Sequence, residues 1–434
     1  MSTEQATDKD TDVQATDDEQ AKEEKAHAAK GTDEQGSQQN EQPTPEQLVE
    51  ERSVPKPVFT DAEAGAKVFP DSTARRYNYF TPKKRKQSHY EDVTVEVQPD
   101  PRHYLSQGWL YGFSDGRGGY PLEWTALKAW GSDRPEPERY PGSGGKGYDW
   151  PAHGWHEFRD PNEEWELTIY RYNANVVRQI NQNIETARHS KAFEQWNPNW
   201  IRFVERHVGA WMHVEHGLGL YLFANAQRRA PTNMHNNAIS VNSMHKIRFA
   251  QDLALYNLTL SEEIGDFDGA AHVATWNEDE AWQGVRGVAE ELTATDDWCE
   301  AIFAANIIFE PLVGELFRSN LVQQASPGNG DFVTPTVMGA GELDYAARDL
   351  RYTKAMFELL VDDKEFADHN TKLIDGWLSA WVPKCITAAR TLQPLWSQPD
   401  SKPPRFEDGL DRAKSRLSGI LSDLHLQEPK EITQ

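Results

Sequence analysis

Long stretches with apolar residues at helical spacing restrict most strongly how this chain can fold. From residue 162 to 193, large apolar side chains recur every three or four positions: Trp165, Ile169, Tyr172, Val176, Ile180 and Ile184. That spacing places them on one face of an α-helix. Further helical stretches are predicted at about 200–229, 238–261, 278–293, 296–324, 342–360 and 365–392, with a kink expected at Pro383. Strand patterns are scarce after residue 161, so the sequence predicts an all-α body.

The segments before this helical region differ from it in composition. Residues 1–57 contain no aromatic residue and cannot bury enough apolar area to offset the entropy of ordering, which predicts a disordered acidic tail. Residues 58–161 are rich in Pro, Gly and aromatic residues without a helical period, which predicts an extended arm. We therefore expect a tail over 1–57, an arm over 58–161, a helical body over 162–400 and a C-terminal helical tail over 401–434.

The arm carries large aromatic side chains that have no local core to enter. Tyr77, Tyr79, Phe80, Trp109 and Tyr111 are the clearest of them. Aromatic residues of this kind are typical anchors of subunit interfaces. We therefore expect these five residues to contact another subunit, and the alternative is that they fold back onto the helices of their own chain.

Charge and cysteine content exclude several classes of protein. The formal net charge is −24, whereas nucleic-acid binding needs a concentrated basic face, so a basic or neutral protein partner is expected instead. No run approaches the roughly 18 apolar residues that span a bilayer, and the expected location is the cytoplasm. Cys299 and Cys385 are the only cysteines, which suits a reducing compartment and excludes a cysteine-based zinc or iron–sulfur site.

Long helices with inward polar residues suggest a ferritin-like bundle, whose diiron members carry Glu on two helices and Glu-x-x-His on two others. No predicted helix of this chain contains a Glu-x-x-His pair. The nearest arrangement is His213-Val214-Glu215-His216, which matches neither zinc-protease order, so polar core or interface roles are expected. The alternative is a metalloprotein that uses His213, Glu215 and His216, with His245 as a further ligand.

Two more carboxylates lie in the apolar stretch of the fifth predicted helix. They are Glu310 and Glu315, and no imidazole stands at ligand spacing beside them. Structural hydrogen bonds or salt bridges are the expected roles of both side chains.

The segment from Asn329 to Val337 reads Asn-Gly-Asp-Phe-Val-Thr-Pro-Thr-Val. It resembles the turn before the last iron-ligand helix in the large subunits of soluble methane monooxygenases. Continued without gaps, this resemblance places one family Glu-x-x-His on Tyr345 and Arg348, and the earlier one on Lys246 and Phe249. These four side chains hold iron poorly or not at all. A lone family glutamate corresponds to Glu215, and another to either Glu310 or Glu315.

The resemblance covers residues 73–396, and the segments 211–217 and 377–384 are similar to propane monooxygenase small subunits. It implies a ferritin-like bundle with a degenerate diiron site, in a non-catalytic small (β) subunit that holds no metal or cofactor. Lys246 or Arg348 would then pair with Glu215, Glu310 or Glu315. A helical scaffold unrelated to oxygenases is a further alternative.

The same resemblance implies the partners and the reaction. The expected partners are a large subunit with a non-haem diiron centre in an α2β2-type hydroxylase, a coupling protein, and a reductase that uses NADH, FAD and an iron–sulfur cluster. The implied reaction inserts one oxygen atom of O₂ into a C–H bond of a small hydrocarbon and reduces the other to water. Propane would give 2-propanol, and acetone, phenol or related compounds are alternative substrates.

Overall fold

The computed structural model describes Tyr90 and residues 125–130, 154–230 and 233–433. The predicted tail and most of the predicted arm lie outside these residues. The same is true of the interface candidates Tyr77, Tyr79, Phe80, Trp109 and Tyr111. The division of the chain at residues 57, 161 and 400 stays a prediction.

The described part of the chain is helical and contains no strand. Its main helices are α1 (Glu166–Ser190), α2 (Pro198–Phe203 continuing to Gln227–Arg229), α3 (Asn233–Glu263), α4 (Ala271–Glu278), α5 (Glu280–Ala294), α6 (Trp298–Phe303 continuing to Leu316–Gln323), α7 (Thr334–Asp344 continuing to Leu350–Val361), α8 (Ala367–Thr391) and α9 (Phe406–Asp423). Short helical turns lie at Gly154–Glu157, Ala192–Gln195, Pro327–Asn329, Gln393–Ser397 and Lys430–Thr433.

The predicted all-α fold is confirmed, and the predicted helices correspond to α1, α2, α3, α5, α6, α7 and α8. Two helical segments were not predicted: α4, and the first part of α7 over Thr334–Asp344. Helix α8 continues through Pro383 without interruption. None of the described helices is long and apolar enough to cross a membrane.

Helix α6 is the centre of the bundle, and every residue from Ala304 to Gly314 is buried. A helix that is apolar on all sides needs neighbours all round. The Asn306 amide donates a 2.7 Å hydrogen bond to Asn242 of α3, and the Tyr345 hydroxyl of α7 donates one of 2.9 Å to the Asn306 carbonyl. Helix α9 buries Leu410 and Leu417, so residues after 400 also join the packed body.

Several helices of the bundle contain π-helical segments. They are Val204–Val208 and Leu218–Phe223 in α2, Ala304–Gly314 and Leu316–Gln323 in α6, and Tyr345–Asp349 in α7. Pro311, which has no N–H to donate, lies within the first of the two segments in α6. These wider turns change which side chains face the centre of the bundle, and π-bulges are frequent at functional sites.

The turn that carries the family resemblance has a structural explanation. Gly330 has φ +84°, and a Cβ there would lie 2.8 Å from the Gln195 carbonyl oxygen, so only glycine fits. The Asn329 amide donates to the Ala325 carbonyl at 2.8 Å, and its oxygen accepts from the Ser401 N–H at 3.0 Å. The turn therefore joins three segments that are distant in sequence.

Asp331 completes this turn from a buried position. One of its carboxylate oxygens accepts from the N–H groups of Val333 and Thr334 at 2.8 and 2.9 Å, where α7 begins. The other accepts from Trp200 Nε1 at 2.8 Å. A single carboxylate thus accepts hydrogen bonds from two backbone N–H groups and one buried indole. Burial raises the pKa of the Asp331 carboxyl above its usual value.

Replacing Asp331 with Ala should lower the free energy of unfolding by about 3 kcal/mol. The two backbone N–H groups at the start of α7 would lose their acceptor, and the buried indole N–H of Trp200 would be left without a hydrogen-bond partner. Urea denaturation followed by circular dichroism would measure the loss. Asp279→Ala is the matched control, because Asp279 accepts from one backbone N–H at the start of α5. It should cost about 1 kcal/mol. Equal losses in the two variants would contradict this account of the turn.

Candidate functional site

The centre of the bundle holds five charged side chains, which we call the central charge cluster: Glu215 of α2, Lys246 of α3, Glu310 and Arg318 of α6, and Glu342 of α7. Lys246, Glu215, Glu310 and Arg318 are each at most 3% exposed. The Lys246 ammonium lies 3.1 Å from Glu215 Oε2 and also pairs with Glu310 Oε1. The predicted pairing of Lys246 with buried glutamates is therefore confirmed.

Arg318 closes the network from the opposite side. Its Nη2 lies 2.6 Å from Glu310 Oε2, its Nη1 lies 3.3 Å from Glu215 Oε1, and its Nε donates to Glu342 Oε2 at 2.9 Å. The guanidinium also lies 5.3 Å from the ring centroid of Trp211, whose Nε1 donates to Glu215 at 2.7 Å. Glu215 and Glu310 therefore each pair with both cations.

The electrostatics of the cluster follow from three carboxylates that share two cations. Burial alone would lower the pKa values of Lys246 and Arg318, but the neighbouring carboxylates raise them above their usual values. Although burial opposes it, Arg318 and Lys246 lower the pKa of Glu310. Burial and the charge of Glu310 raise the pKa of Glu215. Both basic groups stay charged, and Glu215 is the carboxyl that gains a proton more readily.

The cluster does not fit an iron centre. Iron in a ferritin-like bundle would lie between carboxylates such as Glu215 and Glu310, and here an ammonium and a guanidinium lie against both. Their charges repel Fe²⁺, and they already use the carboxylate oxygens that a metal would need. Among the described residues, no group of three or more His, Cys, Asp or Glu side chains could hold a metal ion.

The other predicted ligand positions do not all reach this cluster. The ring of Phe249 lies against Gly341 of α7, where a Cβ would come within 2.3 Å of it. Tyr345 is buried, and its ring centroid is 6.0 Å from the Arg318 guanidinium carbon. Arg348 instead pairs with Glu164 and lies 3.6 Å from the ring centroid of Tyr172. Arg348 thus belongs to a second group of charges, and the correspondence of all four positions with ligands stays a prediction.

His245 lies in that second group. Its Nδ1 is 2.7 Å from Asp349 Oδ1, and its Nε2 is 3.9 Å from Glu164. Burial would lower the pKa of His245, but Asp349 and Asp344 raise it above the usual value. A histidine that is held as the charged partner of a carboxylate is not available as a neutral metal ligand.

The residues of the proposed alternative metal site do not converge. His213 Nε2 lies 2.9 Å from Nδ1 of His272, and burial together with His272 lowers the pKa of His213 to about 4. Glu215 points into the central charge cluster, whereas His216 is exposed. The positions of these three side chains do not support a shared metal site.

Glu315 lies beside the central charge cluster without joining its ion pairs. Its carboxylate is 3.4 Å from Arg416 Nε at the edge of the bundle. Burial and the charge of Glu342 raise the pKa of Glu315 to about 7. The expected structural salt bridge is present, and ionisation of this carboxyl opposes folding at neutral pH.

The sequence analysis missed two members of the central charge cluster, Arg318 and Glu342. It also missed Trp211, which contacts the cluster through Glu215 and Arg318. A signal for Arg318 was available, because it is the only basic residue in α6. A lone cation in an apolar helix needs a buried anionic partner. The role of Trp211 depends on the rotamer that directs its indole N–H towards Glu215, which no spacing pattern reveals.

Replacing Lys246 with Met should lower the free energy of unfolding by about 3–5 kcal/mol at pH 7, because the fully buried carboxylates lose a cation. Adding Glu215→Gln should recover part of the loss by removing the excess charge. The control is Lys354→Met, since Lys354 pairs with the exposed Asp423 and its loss should cost less than about 1 kcal/mol. Denaturation of all the variants provides the comparison. A Lys246→Met loss no greater than that of the control would show that the cluster is unimportant for stability.

Replacing Glu315 with Gln should stabilise the protein by about 2 kcal/mol at pH 8 and have little effect at pH 4.5. The folded-state pKa of Glu315, about 7, lies above its usual value of 4.5. Folding therefore favours the protonated form, and the wild-type chain loses stability relative to the variant as pH rises from about 4.5 through 7. Urea titrations at several pH values would measure the difference. A gain confined to low pH would reverse this assignment.

Comparison with known proteins supports the same architecture. The chain matches the model of the Methane/Phenol/Alkene Hydroxylase family over residues 132–364. A phenol hydroxylase structure from Pseudomonas sp. OX1 superposes with a TM-score of 0.60 at 18% identity, over 80% of this chain and 92% of that one. At that identity the structural likeness shows the fold alone.

Sequence relatives extend the likeness to nearly the whole chain. The small subunit of the propane 2-monooxygenase hydroxylase component from Mycolicibacterium smegmatis is 50% identical over 88% of this chain and 98% of its own length. The beta chain of methane monooxygenase component A from Methylococcus capsulatus is 24% identical over 78% of this chain and 85% of its own. With these matches and the helical bundle, the chain belongs to the methane, phenol and alkene hydroxylase family.

Proposed function

We propose that this chain is the non-catalytic small subunit of the hydroxylase component of a multicomponent monooxygenase. The observation that carries the proposal is the central charge cluster, where Lys246 and Arg318 lie against the carboxylates that would otherwise bind iron. The names of the similar chains support it, because both the propane 2-monooxygenase relative and the methane monooxygenase relative are subunits of larger enzymes.

The catalytic centre of the complex would then lie in another chain. We infer a large subunit with a non-haem diiron centre, joined to this chain in an α2β2-type complex. That centre would supply oxygen activation, and an NADH-dependent reductase with FAD and an iron–sulfur cluster would deliver electrons with the help of a coupling protein. The proposed reaction is hydroxylation of a small hydrocarbon, with propane to 2-propanol favoured by the relatives. Acetone, phenol and related compounds are further candidate substrates.

The contribution of this chain would be structural support. Its ion pairs connect α2, α3, α6 and α7 without a metal, so the bundle can hold its shape independently of iron supply. The predicted arm, with Tyr77, Tyr79, Phe80, Trp109 and Tyr111, would add contacts to the large subunit. We place the complex in the cytoplasm, with neither nucleic acid nor a membrane as a partner.

Iron content tests this proposal directly. The purified chain, loaded with Fe²⁺ under anaerobic conditions and then dialysed against a chelator, should retain no stoichiometric iron, because two cations occupy its carboxylates. The complex copurified with the large subunit should contain iron and, with the coupling protein and reductase, convert propane to 2-propanol. Elemental analysis and gas chromatography give the two measurements.

Two single variants of this chain, Lys246→Glu and Phe249→His, are compared with the wild-type chain in the same iron measurement. Neither should gain iron, because one added ligand leaves Arg318 and the other missing ligands unchanged. Stoichiometric iron in the isolated wild-type chain would contradict the proposal. Full hydroxylase activity of the large subunit without this chain would contradict its supporting role.

A further inference from the structure

Helix α3 exposes large apolar side chains on its outer side. Leu255 is 63% exposed, Leu258 56% and Met244 41%. The neighbouring π-helical segment of α2 adds Leu220 and Tyr221, which are 40% and 54% exposed. We call these five residues the α3 face. The two helices are adjacent here, because the Ser243 hydroxyl donates to the Gly219 carbonyl at 2.8 Å.

Most of the outer side of α3 also lacks charge, and its exposed charged residues, Glu262 and Glu263, lie at the C-terminal end. Over residues 234–261 every charged side chain and every histidine is buried, and the exposed positions are Met244, Gln251, Ala254, Leu255 and Leu258. Yet charged residues make up 26% of the chain. A helix that remains in water normally has a charged outer stripe, whereas the centre of a protein interface is depleted of charge.

The size of this surface suits a stable subunit contact. Helix α3 has 31 residues and is therefore about 45 Å long. With helices about 10 Å apart, α3 and the adjacent α2 present a strip on the order of 900 Å², against about 800 Å² per partner in a standard interface. Among the described residues the strip is exposed, and it is large enough to hold a protein partner.

We propose that the α3 face is the docking surface for the large hydroxylase subunit, an inference that rests on the proposed function. The partner would present an uncharged, apolar surface of similar length, because any charge buried against this face would find no counter-ion. A second copy of this chain fits less well, since it would bring another formal charge of −24 towards the first. The face is formed by α2 and α3, two helices of the body.

Thiol protection in the assembled hydroxylase tests the surface. The natural Cys299 and Cys385 are fully buried, and burial raises the pKa of both thiols, so they should react slowly with maleimides. The variant Leu255→Cys places a reactive thiol on the α3 face. Ala380→Cys is the matched control, because Ala380 is exposed on α8, away from α3. Mass spectrometry of the labelled peptides would give the rate for each variant, in the complex and in the isolated full-length chain.

The two variants should label at similar rates in the isolated chain. In the complex, the Leu255→Cys thiol should label about tenfold or more slowly than the Ala380→Cys thiol, because a buried interface excludes the reagent. Similar rates in the complex would overturn the docking surface while leaving the proposed function intact. Protection of the Leu255→Cys thiol in the isolated chain, increasing with concentration, would assign the face to a second copy and also overturn the proposal. Failure of the wild-type chain to copurify with the large subunit would count against the proposed function itself.

Added charge gives a second, independent measurement. The double variant Leu255→Glu with Leu258→Glu should reduce copurification of the large subunit about tenfold or more, because two carboxylates would be buried without partners. The control double variant Ser379→Glu with Ala380→Glu adds the same charges to the exposed side of α8 and should assemble normally. Circular dichroism would show that both variants remain helical. Equal assembly of the two, or equal loss in both, would reject the α3 face as the specific contact.

Discussion

The structure depends on the rule that a charge removed from water must meet an opposite charge. Two cations and three carboxylates meet at the centre of this bundle, and Arg318 alone contacts glutamates from α2, α6 and α7. Such a network stabilises the fold less than its number of contacts suggests, because each ion loses its hydration. Its larger effect is on specificity: any packing of the helices that separated one partner would leave an uncompensated charge in the core.

A diiron centre and this cluster solve the same electrostatic problem by different means. In a metal-binding bundle the carboxylates of neighbouring helices are neutralised by metal ions, whereas here Lys246 and Arg318 supply positive charge from within the chain. Cations supplied by the chain can therefore balance buried carboxylates in such a bundle where no metal ion does so. Relatives of this chain are named as a hydroxylase small subunit and as a beta chain.

The sequence predicted the helical class and most helices because apolar spacing records which side of a helix is buried. Through the resemblance at the ligand positions it also offered Lys246 or Arg348 as the partner of Glu215, Glu310 or Glu315. The structure pairs Lys246 with Glu215 and Glu310. The sequence missed α4 and the start of α7, since these segments are short or begin with the Thr-Pro-Thr of the turn. It also missed Arg318. It allowed Arg348 to pair with the central glutamates, whereas in the structure Arg348 pairs with Glu164. Pairings between distant helices depend on packing and rotamers, which a single sequence does not specify.

The sequence separations within the central charge cluster also constrain how the chain can reach its native state. Lys246 and Glu310 are 64 residues apart, and Glu215 and Arg318 are 103 residues apart. Local helix formation cannot bring either pair together, so the loops between them must close before any of these charges leaves water. The helices can therefore form early, but the centre of the bundle can dehydrate only when α2, α3 and α6 dock together. Burial of the cluster is therefore coupled to the docking of these three helices.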